Sequence, residues 1–99
     1  SAPDSPEALL RAAHGCFALG QADQAVARYD ALQQSGTLSP AEARACAFFR
    51  ALALGRNGHS DAAREILSAL RKQDPELHRL LRLKSLPGAS PADAALLAQ

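Results

Sequence analysis

The amino-acid sequence predicts an all-α chain, and three observations carry that prediction. Apolar residues make up 47% of the composition, almost half of them alanine, and the only β-branched residues are Val26, Thr37 and Ile66. Helices favour Ala, Leu, Arg, Gln and Glu, whereas strands favour the β-branched and aromatic types that are scarce here. Four stretches, "SPEA" at 5, "SPAE" at 39, "DPEL" at 74 and "SPAD" at 90, set Ser or Asp before Pro with an acid close behind. Finally, Pro6, Pro40 and Pro75 stand 34 and 35 residues apart.

Each element follows from local chemistry. A first helix is predicted over 6–18, started by Ser5 and Pro6 and stopped by Gly20. The Ser oxygen accepts from the first free amides, and Pro at the first helical position forfeits no hydrogen bond. The second helix, 22–34, places Ala22, Ala25, Val26, Tyr29 and Leu32 on one face. The third, 40–55, opens with a Ser39–Glu42 capping box and closes at "GRNG" from 55. The fourth, 60–72, aligns Ala62, Ala63, Ile66, Leu67 and Leu70. Asp74 starts a fifth over 75–85, stopped by "LPG" at 86, and Ser90 starts a short sixth over 91–98. So many small alanines predict a thin core made of closely approaching helix pairs.

Composition narrows the functional classes. The length is that of one domain, 1–99. The formal net charge is +1 with both signs interspersed, so no broad field is expected to draw nucleic acid or an anionic membrane. Apolar runs are far shorter than a membrane span, so no insertion is expected. The start carries no signal-peptide pattern and no methionine, as a processed or trimmed chain would, and the cytoplasm is the favoured compartment. Cys16 and Cys46 fit no metal or redox spacing and read as small buried residues, with a disulfide between neighbouring helices as the minority alternative.

No set of residues converges for catalysis. His14, His59 and His78 lie in separate segments without a partner at ligand spacing, so no enzyme, metal or cofactor is expected. The basic residues Arg71, Lys72, Arg79, Arg82 and Lys84 are interrupted by Asp74 and Glu76. They read as a solvated face and a helix C-terminus, not as a phosphate-binding surface.

The 34-residue period, with a helix, a glycine turn and a second helix between successive prolines, resembles the tetratricopeptide repeat. Gly20, Ala25 and Tyr29 match the family's turn glycine, packing alanine and aromatic; Gly58, Ala63, Leu67 and Pro75 do so in a second copy. Ala13 and Ala51 take its small position in the first helix of each unit. Departures are Leu9 and Ala47 for the tryptophan, Cys16 and Leu54 for a tyrosine, Thr37 for a common proline, and a longer "QSGTLS" loop. The resemblance covers residues 6 to about 85, about two and a half repeats, and divides the domain into units 6–39 and 40–74, then a half-unit and cap over 75–99.

That resemblance implies a helical-hairpin solenoid of five helices plus a short C-terminal helix, in which copies supply each other's core. It also implies a concave groove lined by first helices, here Leu10, His14 and Phe17, then Phe48, Leu52 and Arg56, then His78, Leu81 and Arg82. Relatives that clamp the acidic tails of heat-shock chaperones need Lys, Asn and Arg where this chain has Leu10, His14 and Phe48, so that role is not expected. The implied function is a protein–protein adaptor or chaperone holding an amphipathic helix, from a partner or from residues 91–98 of this chain. Small bacterial secretion chaperones are one concrete candidate, and the arginine-over-lysine, alanine-rich style suits a GC-rich bacterial genome. The alternative is a structural or self-associating piece of a longer repeat scaffold; the self-associating form would make the chain a homo-oligomer.

Overall fold

A computed structural model describes residues 5–85 and 90–98 of the chain. The described residues form six α-helices: α1 (Pro6–Ala18), α2 (Ala22–Ser35), α3 (Pro40–Arg56), α4 (Ser60–Gln73), α5 (Pro75–Ser85) and α6 (Pro91–Leu97). They contain no strand. The expected stop at "LPG" from 86 lies outside the described residues.

The helix starts work as the side chains dictate. Ser5 Oγ accepts from Ala8 N at 3.2 Å, and Ser90 Oγ accepts from Asp93 N at 3.2 Å. Asp74 Oδ1 accepts from Leu77 N at 3.1 Å. At α3 the capping box closes both ways: Glu42 N donates to Ser39 Oγ at 3.2 Å, and Ser39 N donates to Glu42 Oε1 at 3.0 Å. Those bonds from Ser39 hold the Glu42 carboxyl below its ordinary pKa.

Two helix ends are built alike, 38 residues apart. After α1, Gly20 (φ 80°) donates to Phe17 O and Gln21 N donates to Cys16 O. After α3, Gly58 (φ 86°) donates to Gly55 O and His59 N donates to Leu54 O. This is the Schellman pair of bonds, which satisfies two orphan carbonyls and needs a residue comfortable at positive φ. Gly36 (φ 71°) ends α2 in the same left-handed conformation, a stop inside the stretch read as a loop.

Helices α1 to α5 pack in chain order, each against the next, and α6 then returns onto α3 and α4. Two apolar clusters result. The first contains Ala13, Cys16, Ala25, Tyr29, Leu32, Cys46 and Ala53. The second contains Phe48, Ala51, Leu52, Ala63, Leu67, Leu70, Leu81, Leu96 and Leu97. Helix α3 feeds both and is apolar on most of its circumference, as a helix buried from two sides must be. Phe17 and Phe49 pack against both clusters and join them. Ala25 and Ala63 are fully buried, where a small side chain permits close helix approach. Ala62, expected on the buried face of α4, is exposed instead.

Candidate functional site

The second cluster is a trough with a lid. Its floor and walls are Phe48, Ala51 and Leu52 from α3, Ala63, Leu67 and Leu70 from α4, and Leu81 from α5. Into it α6 lowers Leu96 and Leu97, which are 6% and 3% exposed. Pro91, Ala94, Ala95 and Ala98 stay exposed, so α6 contacts the rest of the chain along one narrow stripe.

Gly55 explains where Leu96 sits. A Cβ on Gly55 would run into Leu96 Cδ1. Glycine inside a helix costs about 1 kcal/mol relative to alanine. Here that cost opens the slot for the leucine.

One arginine then fixes the lid. Arg56 Nε donates to both carboxylate oxygens of Asp93, at 3.1 and 3.2 Å, and Nη2 donates to Asp93 Oδ2 at 2.6 Å. Nη1 donates to Phe17 O at 3.1 Å, and the guanidinium carbon lies 3.8 Å from the centre of the Phe17 ring. Arg56 therefore joins the end of α1, the end of α3 and the first turn of α6. Asp93 is 2% exposed, so its charge is satisfied by Arg56 and not by water. The planar guanidinium matches a carboxylate in two-point contact and stacks on an aromatic face, which a lysine would not reproduce.

The expected groove residues divide into two groups. Phe48, Leu52 and Leu81 lie in the trough at 0%, 1% and 9% exposure, so the surface expected to meet an occupant is instead core, closed within the chain by the joint packing of α3, α4, α5 and α6. Arg56 is beside them. His78 is half-buried, edge-on to Phe48 with ring centres 6.0 Å apart. It borders a cavity of about 200 Å³ between α4, α5 and α6, with Arg64, Ser68 and Arg71 on the polar side and Leu96 and Leu97 on the apolar side. Arg82, at the rim of the expected groove, is exposed.

Leu10 and His14 belong elsewhere. Leu10 packs against the first cluster, and His14 Nδ1 hydrogen-bonds the Tyr29 hydroxyl and meets Phe49 edge-on at 5.0 Å. Phe17 stands between the two groups, under Arg56 and edge-on to Phe49 at 5.9 Å.

Burial sets the protonation chemistry. Desolvation holds His14 below the usual histidine value; it does the same for His78, where Arg71 and Arg82 add to the effect. Tyr29 is pushed up by burial. The Cys46 thiol is pushed up to about 11, chiefly by burial, with Arg50 opposing and Asp30 adding to the rise. Cys46 Sγ donates to Tyr29 O at 3.3 Å, so it serves the core as a thiol and is a poor nucleophile at neutral pH. Both cysteines are free. Among the described residues no group of His, Cys, Asp and Glu is placed to hold a metal ion. None of their helices is long and apolar enough to cross a membrane.

Sequence reasoning offered residues 91–98 as one occupant of the groove but missed the parts that seat them, the slot at Gly55 and the Arg56–Asp93 pair. One signal was available, a glycine inside a strong helix; that Asp93 turns to Arg56 and not back to Ser90 shows only in the fold. No protein-family model matches the chain, nor does any curated protein or solved structure resemble it significantly.

Proposed function

We propose that the chain is a non-enzymatic protein-interaction module of tetratricopeptide-like hairpins, an adaptor or chaperone whose trough holds an apolar face of a partner's amphipathic helix. The observation that carries this reading is the seating of α6. A short helix with one apolar stripe already fills the trough formed by α3, α4 and α5. Helix-in-groove recognition uses such a stripe of closely spaced anchors. The repeat reading is supported by the matching turns at Gly20 and Gly58 and by the fully buried alanines. A bacterial secretion chaperone in the cytoplasm is one form this function would take.

Selection of displayed helical peptides against the whole chain tests it. Binders should share an amphipathic pattern and shift the amide resonances of Ala51, Leu52, Leu67 and Leu70. Binders that map to α1 and α2 instead would overturn the reading, as would a selection that yields none.

A second reading, a segment of a longer scaffold, is favoured by a different observation. Leu80 and Leu83, one turn apart on α5, are 43% and 53% exposed. A following helix in an extended array would cover that face. Sedimentation should then show concentration-dependent self-association that Leu80→Lys with Leu83→Lys abolishes.

A further inference from the structure

We propose that the trough reads a particular helical sequence, an acidic residue followed three and four positions later by leucines, and that α6 is a built-in copy of that ligand. This rests on the interaction-module reading above and names its ligand class: a partner's helical segment bearing acid-x-x-Leu-Leu.

The residues that select this pattern belong to the receptor. Arg56 is held by the Phe17 carbonyl and the Phe17 ring, two contacts that do not involve α6. Its Nε and Nη2 face the position taken by the Asp93 carboxylate. A guanidinium held at the end of an apolar trough favours a carboxylate; a helix without one would leave Nε and Nη2 without the partner they have in the closed chain. Gly55 makes a slot that the residue three positions after the acid must fill, and Leu96 fills it. The next residue, Leu97, completes the cover of the second cluster. The exposed Pro91, Ala94, Ala95 and Ala98 contribute no selection, so the pattern reduces to three positions.

The resident helix is suited to being displaced. It has 7 residues, too short to persist as a helix without its docking contacts. Its advantage over a separate ligand is tethering, which gives it an effective concentration on the order of mM. A longer partner helix carrying the same three residues, with further contacts along α3 and α4, would compete against that advantage. A second copy of this chain would offer only the same short helix.

The test uses the full chain and a labelled synthetic peptide with the sequence of residues 90–98, read by fluorescence anisotropy. Two chains are compared: the unaltered one, and one carrying Leu96→Ser and Leu97→Ser so that its own α6 loses its anchors. The opened chain should bind the peptide at least tenfold more tightly than the unaltered chain. A peptide differing only by Asp→Asn should bind the opened chain about tenfold more weakly than the parent peptide. Equal binding of the two peptides would overturn the acid-reading proposal while leaving a helix-binding trough intact. Failure of the opened chain to bind either peptide would overturn both. Concentration-dependent dimers in place of peptide binding would assign the trough to a second copy and overturn the proposal. Should the opened chain lose its helical circular dichroism, Asp93→Asn is the milder opening, with the same ordering of peptides expected and the same results overturning it.

Discussion

The cluster around Tyr29 is closed by helices adjacent in sequence, whereas the cluster around Phe48 is closed by a helix that returns from beyond α5. The first is stitched by polar atoms inside it: Tyr29 OH meets His14, and Cys46 Sγ donates to the Tyr29 carbonyl. The second is apolar throughout, with the Arg56–Asp93 ion pair at the edge where the lid attaches. Stability should therefore be distributed unevenly. Opening the Tyr29 cluster means separating neighbours that also hold α3, and so unfolding the molecule. Opening the Phe48 cluster can begin with α6 alone, as a local event of lower free energy.

The largest effect expected is that of Phe48→Ala. Its ring is fully buried, so truncation should cost about 3–5 kcal/mol in urea denaturation. A loss below about 1 kcal/mol would mean that the α6-covered cluster contributes little to global stability, which would sharpen the asymmetry beyond the form given above.

Asp93→Ala should cost less, about 2–3 kcal/mol, because α6 can leave and let Arg56 reach water instead of remaining a buried unpaired charge. Hydrogen exchange should then accelerate in α6 and along the trough while α1 and α2 keep their protection. Equal acceleration in α1 and α2 would break the comparison.

Tyr29→Phe removes one hydroxyl from the other cluster and should cost about 1 kcal/mol. The loss should appear as uniform destabilisation of α1, α2 and α3, the opposite pattern to Asp93→Ala. A local effect confined to α1 would show that this cluster, too, opens piecemeal.

The smallest effect is that of pH. His14 and His78 both have native values lowered from 6.5 by burial, so the unfolded chain binds their protons more readily. Their contribution is complete above 6.5 and is lost as pH falls below it toward the lowered native values. The melting temperature should decline gently from neutral pH to pH 5, by a few degrees at most for groups so partly exposed. An imidazole resonance of His14 titrating above 6.5 would remove this term from the Tyr29 cluster.

Helix starts and most stops were legible because they are decided within four residues: Ser, Pro and an acid, or a glycine at positive φ. The buried faces of α2 and α4 were legible from spacing, and Ala25 and Ala63 mark them. That residues 91–98 would fill the groove was legible as one of two occupants, but the latch that seats them was not, because Arg56 and Asp93 are 37 residues apart and no local pattern links them. "SPAE" and "SPAD" look alike in sequence, yet Glu42 folds back on Ser39 whereas Asp93 reaches outward to Arg56. That choice depends on what lies opposite each helix. For the same reason Leu10 and His14, grouped with the groove residues by position in their helix, face the first cluster.

The return of α6 also has a temporal side. A ribosome makes α6 after every element it covers, and proteins fold from the N-terminal side as they emerge. At typical synthesis rates the interval between the end of α5 and the end of α6 is on the order of a second. Helical segments form in about a microsecond or less. Whenever α3, α4 and α5 are assembled and α6 is not yet docked, Phe48, Leu52, Leu67 and Leu81 lack the cover that Leu96 and Leu97 complete. That interval is when an untethered helix meets no competitor, and when two nascent chains on one message are most prone to stick together.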